Sequence, residues 1–359
     1  MNNVVRFALG DKAATAALGI NITTAEINAK TEAGPVGLAV YGCTKSLGCC
    51  VDYSGNIYIS DSAEHAIYKI DEGGKISIFA GLPGTSGNNN TLQNVAAGDA
   101  RFNAPNGLAC DKSNNIYVAD VGNNQIRVIN SGRVSVLAGS GAAGMIDSAD
   151  TALSATQGAL AAQFNGPSDI DVDAKGTVYV CDQGNHAIRK IDGSNVLTMA
   201  GSGIAGDIEN AQSLGKNGAF FNTPRSVCSD VSGNIYVSDT GNFKIKKITP
   251  SGFVYLHSGS GVSGRSLGDL AAGSNKIDGS GDSNPYTCEY VFPFISSMDK
   301  SGTMYLIDRD VSSGGVRLMS IDKDGVPSVI CEFVGGSGAT TAKGVAVSPG
   351  NKLFVTMSD

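Results

Sequence analysis

The sequence predicts an all-β fold, a six-bladed β-propeller built of four-stranded antiparallel blades. Three observations carry this expectation. An aromatic strand pattern recurs along the chain, each copy has the same flanking turns, and a glycine-rich hexapeptide closes most units. The pattern reads NIYISD from residue 56, NIYVAD from 115, TVYVCD from 177, NIYVSD from 234 and TMYLID from 303. A shortened copy, KLFVTM, begins at 352. Repetition at this period marks stacked supersecondary units whose apolar faces are buried only by their neighbours.

Each unit reads as four strands. An apolar run ends at Asp52, Asp111, Asp173, Asp230 or Asp299, and a short turn of Ser, Lys, Gly and Asn leads into the aromatic strand. Two β-rich runs joined by turn formers predict a hairpin. A polar turn follows, as in DVGNNQ (120–125), DQGNHA (182–187) and DTGNFK (239–244). The third strand is QIRVI, AIRKI or KIKKI, and the fourth ends in glycine. A blade cannot bury both faces alone, and an open stack would leave edges and end faces exposed, so ring closure is expected.

The glycine motif invites another reading. GSGIAG at 201–206 has the spacing of a dinucleotide fingerprint at Gly201, Gly203 and Gly206. That fingerprint must open a crossover helix, and DIENAQSLGKNGAFFNTP does not read as one. GSGAAG (139–144), GSGVSG (259–264) and the looser GLPGTSG (81–87) occupy the same place in other units. A motif that recurs with the repeat is a turn in which glycine supplies conformations other residues resist. No cofactor is expected.

The last unit supplies two strands before the chain stops at Asp359. NVVRFALGD (3–11) and VGLAVYG (36–42) are the candidates to complete it. The division is thus residues 1–44, closing strands with a possible docking arm over 11–34, and residues 45–359, the propeller. Within the arm, Thr23 and Glu26 stand at capping-box spacing and Gly34 is a possible helix stop.

Three longer runs resemble the NHL repeat: FNAPNGLACDKSNNIYVADVGNNQIRVI (102–129), FNGPSDIDVDAKGTVYVCDQGNHAIRKI (164–191) and FNTPRSVCSDVSGNIYVSDTGNFKIKKI (221–248). The copy at 46–70 lacks the Phe-Asn-x-Pro lead, and the copy at 290–318 keeps Tyr290, Pro293 and Asp299. The resemblance implies a six-bladed propeller. It leaves function open, because NHL-like propellers serve as interaction platforms, as carbohydrate or RNA binders, and occasionally as enzymes.

Composition narrows the choice. A formal net charge of −7 disfavours nucleic acid and anionic membranes as partners. No apolar run reaches the ~18–20 residues of a membrane-spanning helix. MNNVVRFALGDK lacks the basic and apolar regions of a signal peptide, so a cytoplasmic or virion-associated location is expected. The eight cysteines show no CxxC spacing and read as buried, reduced thiols.

Chemistry is sparse. His65, His186 and His257 are the three histidines, and their positions in the repeat do not converge on one zinc. Lyases that resemble this family hold zinc with histidine at the axis, and resembling hydrolases hold calcium with axial carboxylates. Asp61, Asp120, Asp182, Asp239 and Asp308 recur at the end of the second strand and could hold a hard cation. Each also begins a polar turn, where a carboxylate ordinarily accepts backbone N–H bonds.

Binding is expected on the face where the long loops lie: 81–104, 139–166, 201–223 and 259–292. Long loops on a rigid scaffold are where binding sites are usually built. Asn106, Ser168, Arg225, Phe294 and Lys343 follow the lead prolines and should ring the channel mouth. The expected function is a non-catalytic module that presents this face to a protein or glycan. Few charges, reduced thiols and a non-repeat arm suit a structural subunit of a larger assembly, such as a viral or phage particle. The alternative is a metal-dependent hydrolase or lyase at the axis.

Overall fold

A computed structural model describes residues 2–8, 38–40, 46–89, 94–148, 158–209, 218–264, 288–309, 315–333 and 341–358. The arm at 11–34 lies outside the described residues. Among the described residues, antiparallel strands gather into sheets of mostly four strands, and the fold is an all-β propeller.

Five sheets are built of consecutive strands. The first holds β3 (Ser46–Val51), β4 (Ile57–Asp61), β5 (Ala66–Ile70) and β6 (Ile76–Ala80). The second adds a short outer strand, β7 (Val95–Ala96), to β8 (Pro105–Cys110), β9 (Ile116–Asp120), β10 (Gln125–Asn130) and β11 (Arg133–Ala138), so it has five strands where four were expected. The third runs from β12 (Pro167–Val172) through β13 (Val178–Asp182) and β14 (Ala187–Asp192) to β15 (Asn195–Ala200). The fourth is β16 (Ser226–Ser229), β17 (Ile235–Asp239), β18 (Lys244–Ile248) and β19 (Val254–Ser258). The fifth is β20 (Pro293–Met298), β21 (Met304–Arg309), β22 (Val316–Ile321) and β23 (Pro327–Phe333).

The remaining sheet mixes strands from distant parts of the sequence. Its order is β2 (Leu38–Val40), β1 (Asn2–Ala8), β25 (Lys352–Ser358) and β24 (Thr341–Val347). The backbone of β1 runs antiparallel to β25, with Val5 opposite Val355 and Ala8 opposite Lys352.

The second strand of each consecutive sheet is buried on both faces, which is why its sequence is apolar almost throughout. Six apolar clusters lie between neighbouring sheets. Ile116 and Val118 of the second sheet pack with Tyr58 and Ile67 of the first. Tyr305 and Ile307 pack with Leu353 and Val355, and Phe354 packs with Ile57 and Ile59. The mixed sheet is therefore in apolar contact with both the fifth and the first.

The first Asp of each repeat shapes the hairpin between the two inner strands. Asp230 Oδ1 accepts the N–H groups of Ser232 and Asn234, and its Oδ2 accepts Asn234 Nδ2 and the Tyr236 hydroxyl. Asp52 and Asp111 do the same. One carboxylate thus closes the turn and anchors the aromatic residue that gives the repeat its signature.

Candidate functional site: the loop face and the axial mouth

The second Asp series lies at the opposite end of the second strand. Asp182 is fully buried. Its Oδ1 accepts the Asn165 N–H at 2.7 Å, and its Oδ2 accepts Asn185 Nδ2 at 2.8 Å and Arg189 Nη1 at 2.7 Å. Asp120 repeats the set with Asn103, Asn123 and Arg127, and Asp239 with Asn222, Asn242 and Lys246. Asp308 accepts the Phe292 N–H and pairs with Arg317. Asp61 has no such cation at its third-strand position, where Tyr68 stands. It caps its own turn through the N–H groups of Ala63 and Glu64.

The carboxylates at 61, 120, 182, 239 and 308 are thus committed within their own blades. Burial pushes Asp120 up, to about 6, against the opposing pull of Asn103, Asn123 and Arg127. Burial also raises Asp182 and Asp239. Among the described residues, no group of three His, Cys, Asp or Glu side chains could hold a metal ion.

Arg127, Arg189 and Lys246 were not singled out from sequence, yet they tie the face together. Each is fully buried beside the lead aromatic of its repeat, 5.5 Å from the Phe102 ring centroid, 5.0 Å from Phe164 and 5.2 Å from Phe221. A β-bulge stands at each of them, between Ile126 and Arg127, Ile188 and Arg189, and Ile245 and Lys246. The extra residue of each bulge lies on the fourth strand, and regular pairing with the second strand, Arg127 opposite Val118, Arg189 opposite Val180 and Lys246 opposite Val237, keeps each basic side chain on the face of its Asp. The readable signal was a basic residue repeating seven positions after the Asp, inside an apolar strand.

The glycine motif joins the same network. The Gly206 N–H donates to the Phe221 carbonyl, and the Gly206 carbonyl accepts Asn242 Nδ2. Gly87 and Gly144 repeat both bonds with Phe102 and Asn123, and with Phe164 and Asn185. Gly201 and Gly203 hold φ of 108° and 83°, and Gly259 and Gly261 hold 104° and 82°. These values favour glycine and fit a strand exit, so each long loop is fastened at both ends.

The segment after Gly144 does more. Asp147 Oδ1 meets Arg189 Nη2 at 2.9 Å, and its Oδ2 accepts the Thr198 N–H. Asp207 meets Lys246 at 2.9 Å.

The inner strands line an axial cavity of about 350 Å³. Asn106, Ser168, Arg225 and Phe294 all border it. Ser168 and Phe294 are buried, however. The Ser168 hydroxyl faces the Arg225 carbonyl at 3.2 Å, and Phe294 packs with Val345 and Leu353. Lys343 is placed on β24 by its backbone alone.

Deeper in the cavity, Asp169 and Asp171 stand two residues apart on β12. Asp169 accepts the Val227 N–H at 3.1 Å, and Asp171 accepts the Ser229 N–H at 2.7 Å and its hydroxyl at 2.5 Å. Both satisfy N–H groups on the edge of the neighbouring inner strand. Burial pushes Asp169 up to about 8. Among the described residues, Cys49, Cys50, Cys110, Cys181, Cys228 and Cys288 are thiols outside any disulfide, and burial raises Cys49, Cys110 and Cys288 to about 12.

The sequence profile of the NHL repeat matches residues 102–129, 164–191 and 221–248. The chain is a β-propeller that carries NHL repeats at these positions. It is similar to human NHL repeat-containing protein 2, 29% identical over 262 residues, which cover 64% of this chain and 34% of that protein. It is also similar to mouse teneurin-3, 33% identical over 93 residues, 23% of this chain and 3% of that one. The chain thus spans about a third or less of the length of these relatives. Among solved structures, a gluconolactonase from Xanthomonas campestris shares the fold with a TM-score of 0.53 at 14% identity, covering 88% of this chain and 86% of its own. A protein of unknown function from Bacteroides thetaiotaomicron gives a TM-score of 0.55 at 14% identity, covering 99% and 76%. At such identities the likeness concerns the fold alone.

Proposed function

We propose that this NHL propeller is a non-catalytic interaction module that presents its glycine-loop face to a protein or glycan as a subunit of a larger assembly. In the same reading the mixed sheet is the sixth blade, and β1 latches the ring. The observation that carries the reading is the uniform fastening of the loops. Buried Asp, Asn and Arg or Lys side chains fix both ends of the loops at 81–104, 139–166 and 201–223, while the residues between those ends differ from repeat to repeat. A rigid frame with varied loops is how recognition surfaces are built. The axial carboxylates are occupied by the frame itself, which favours binding over hydrolysis.

The test is the native mass of the protein in its source extract, by size exclusion with light scattering, followed by cross-linking. The expected result is a mass well above that of one chain, with cross-links from the four loops to one recurring partner. A free monomer without such cross-links would overturn the proposal.

A further inference from the structure

The outer strands of the second and third sheets are covered by the loop that arrives from the sheet before. On the second sheet, the loop at 81–104 lays β7 against β11, with Val95 opposite Val134 and Ala96 opposite Arg133. On the third, Asp147 and Ser148 of the loop at 139–166 accept the Thr198 and Val196 N–H groups of β15. The first sheet receives no such loop, because only residues 41–45 separate β2 from β3. Among the described residues, β6 pairs with β5 alone.

The strand register makes the difference measurable. Ile78 stands opposite Tyr68, as Val136 stands opposite Arg127 and Thr198 opposite Arg189. Val136 is 9% exposed and Thr198 7%, whereas Ile78 is 54% exposed. An outer strand with an unpaired edge and an exposed apolar side chain is a template for another strand.

The other sheets show what chemistry the occupant needs. Where the third strand carries Arg189 or Lys246, the arriving loop brings Asp147 or Asp207. The first sheet carries Tyr68 at that position, so an uncharged strand with alternating apolar residues fits there. The strand β6 is itself one: Ile76, Ile78 and Ala80 alternate with Ser77 and Phe79, with no charge among them. Antiparallel pairing of two copies about Ile78 sets Ile78 against Ile78 and Ile76 against Ala80. It also turns each Lys75 toward Gly81 and away from the other Lys75, so like charges do not meet. The end that Lys75 approaches carries an acid, since Glu64 Oε2 lies 3.8 Å from where a Gly84 side chain would begin. A self-complementary contact of this kind closes a twofold dimer. We infer that β6 is the contact through which two copies of this chain join edge to edge, antiparallel, into one continuous sheet.

The inference is independent of a partner on the glycine loops, because it concerns the purified chain alone. Its test is sedimentation of the purified full chain over a wide range of concentration, with hydrogen exchange of the Ser77 and Ile78 amides. A mass that rises from one chain to two is expected, with both amides slowing as the dimer forms. Ile78→Lys places a charge against its own copy and should abolish the dimer, with the melting transition retained. Leu197→Lys, at an exposed apolar position on β15, should leave the dimer intact. A monomer whose β6 amides exchange slowly would mean that the chain covers this edge itself. A monomer whose β6 amides exchange fast would leave the edge to a different protein. Either result overturns the inference, as does a dimer that survives Ile78→Lys or is lost equally in Leu197→Lys.

Discussion

His186 Nδ1 accepts a hydrogen bond from the backbone N–H of Thr223 at 3.0 Å, and that bond fastens one blade to the lead loop of the next. His65 holds the Ala104 N–H in the same way, and Asn124 uses its Oδ1 on the Gly166 N–H. All three side chains project from left-handed residues, with φ of 49° at His186, 55° at His65 and 50° at Asn124. The next equivalent residue, Phe243, keeps the left-handed backbone without an acceptor.

An accepting Nδ1 must be unprotonated, and burial lowers His186 from its ordinary value. A histidine whose folded pKa is depressed contributes stability above its unfolded pKa and loses it as pH falls below that value. His186→Asn should keep the clamp, as Asn124 shows, and remove this acid-dependent loss. His186→Ala should cost roughly 1–2 kcal/mol at neutral pH through the lost bond and the left-handed backbone. Urea unfolding of the three proteins at pH 7.5 and pH 5 measures both effects. An Asn variant as acid-labile as the parent would show that His186 is not the titrating group.

Arg189 answers two carboxylates at once, Asp182 and Asp147. Removing one partner of a buried ion pair leaves an uncompensated charge and typically costs about 3–5 kcal/mol. Arg189→Met should lose that much, whereas Arg189→Lys should lose less, because Lys246 fills the same position in the next blade against Asp239 and Asp207. Denaturant midpoints of the two variants give the comparison. Equal losses would mean that the fork geometry of Arg189, and not its charge, holds the loop.

These two residues show what was legible in the sequence. The propeller, its hairpins and the turn role of the glycine motif follow from local patterns: alternation, turn formers and a repeated Asp. Asp120, Asp182 and Asp239 each accept the side-chain N–H of the Asn three residues on. Their cations are not legible there, because a basic residue in a strand is ordinarily exposed, and only the packing of neighbouring loops covers Arg189. The clamp of His186 is invisible locally, since its acceptor serves the next blade. Ser168 and Phe294 are expected to ring the channel mouth, and both border the axial cavity. The inner strands converge at the axis, however, so the Ser168 hydroxyl meets the Arg225 carbonyl and Phe294 fills the space between sheets.

Asp169 gives the cavity a pH dependence of the opposite sign to that of His186. Burial holds its folded pKa at about 8, above the ordinary carboxylate value of 3.8. Between those values the unfolded chain gives up its proton first, so stability falls as pH rises from about 4 to about 8. Asp171 is raised as well and adds to the trend. Asp169→Asn keeps an acceptor for the Val227 N–H and never ionises. Its melting temperature should match the parent near pH 4 and exceed it by several degrees near pH 8, at roughly 2–4 °C per kcal/mol for a domain of this order. A constant difference across that range would remove Asp169 from the account.

Calcium should leave the protein unmoved. Oxygen ligands must be available to a hard cation, yet Asp120, Asp182, Asp239 and Asp308 each face a buried arginine or lysine. Melting curves with millimolar calcium and with a chelator are expected to superimpose. A clear rise with calcium would restore the metal-dependent reading of the axis.

The pairing of β1 with β25 bears on the proposed closure of the ring. Six residue pairs, from Asn3 with Met357 to Ala8 with Lys352, cover the outer edge of β25. Without them that edge presents a row of unpaired N–H and C=O groups, which invite pairing with another chain. Deleting residues 1–8 should therefore lower the unfolding midpoint and promote self-association. A synthetic peptide of residues 1–10 should restore both properties when added in excess, because strand addition supplies the same backbone bonds. A truncated chain that melts with the parent and remains monomeric would show that the ring closes without its first strand.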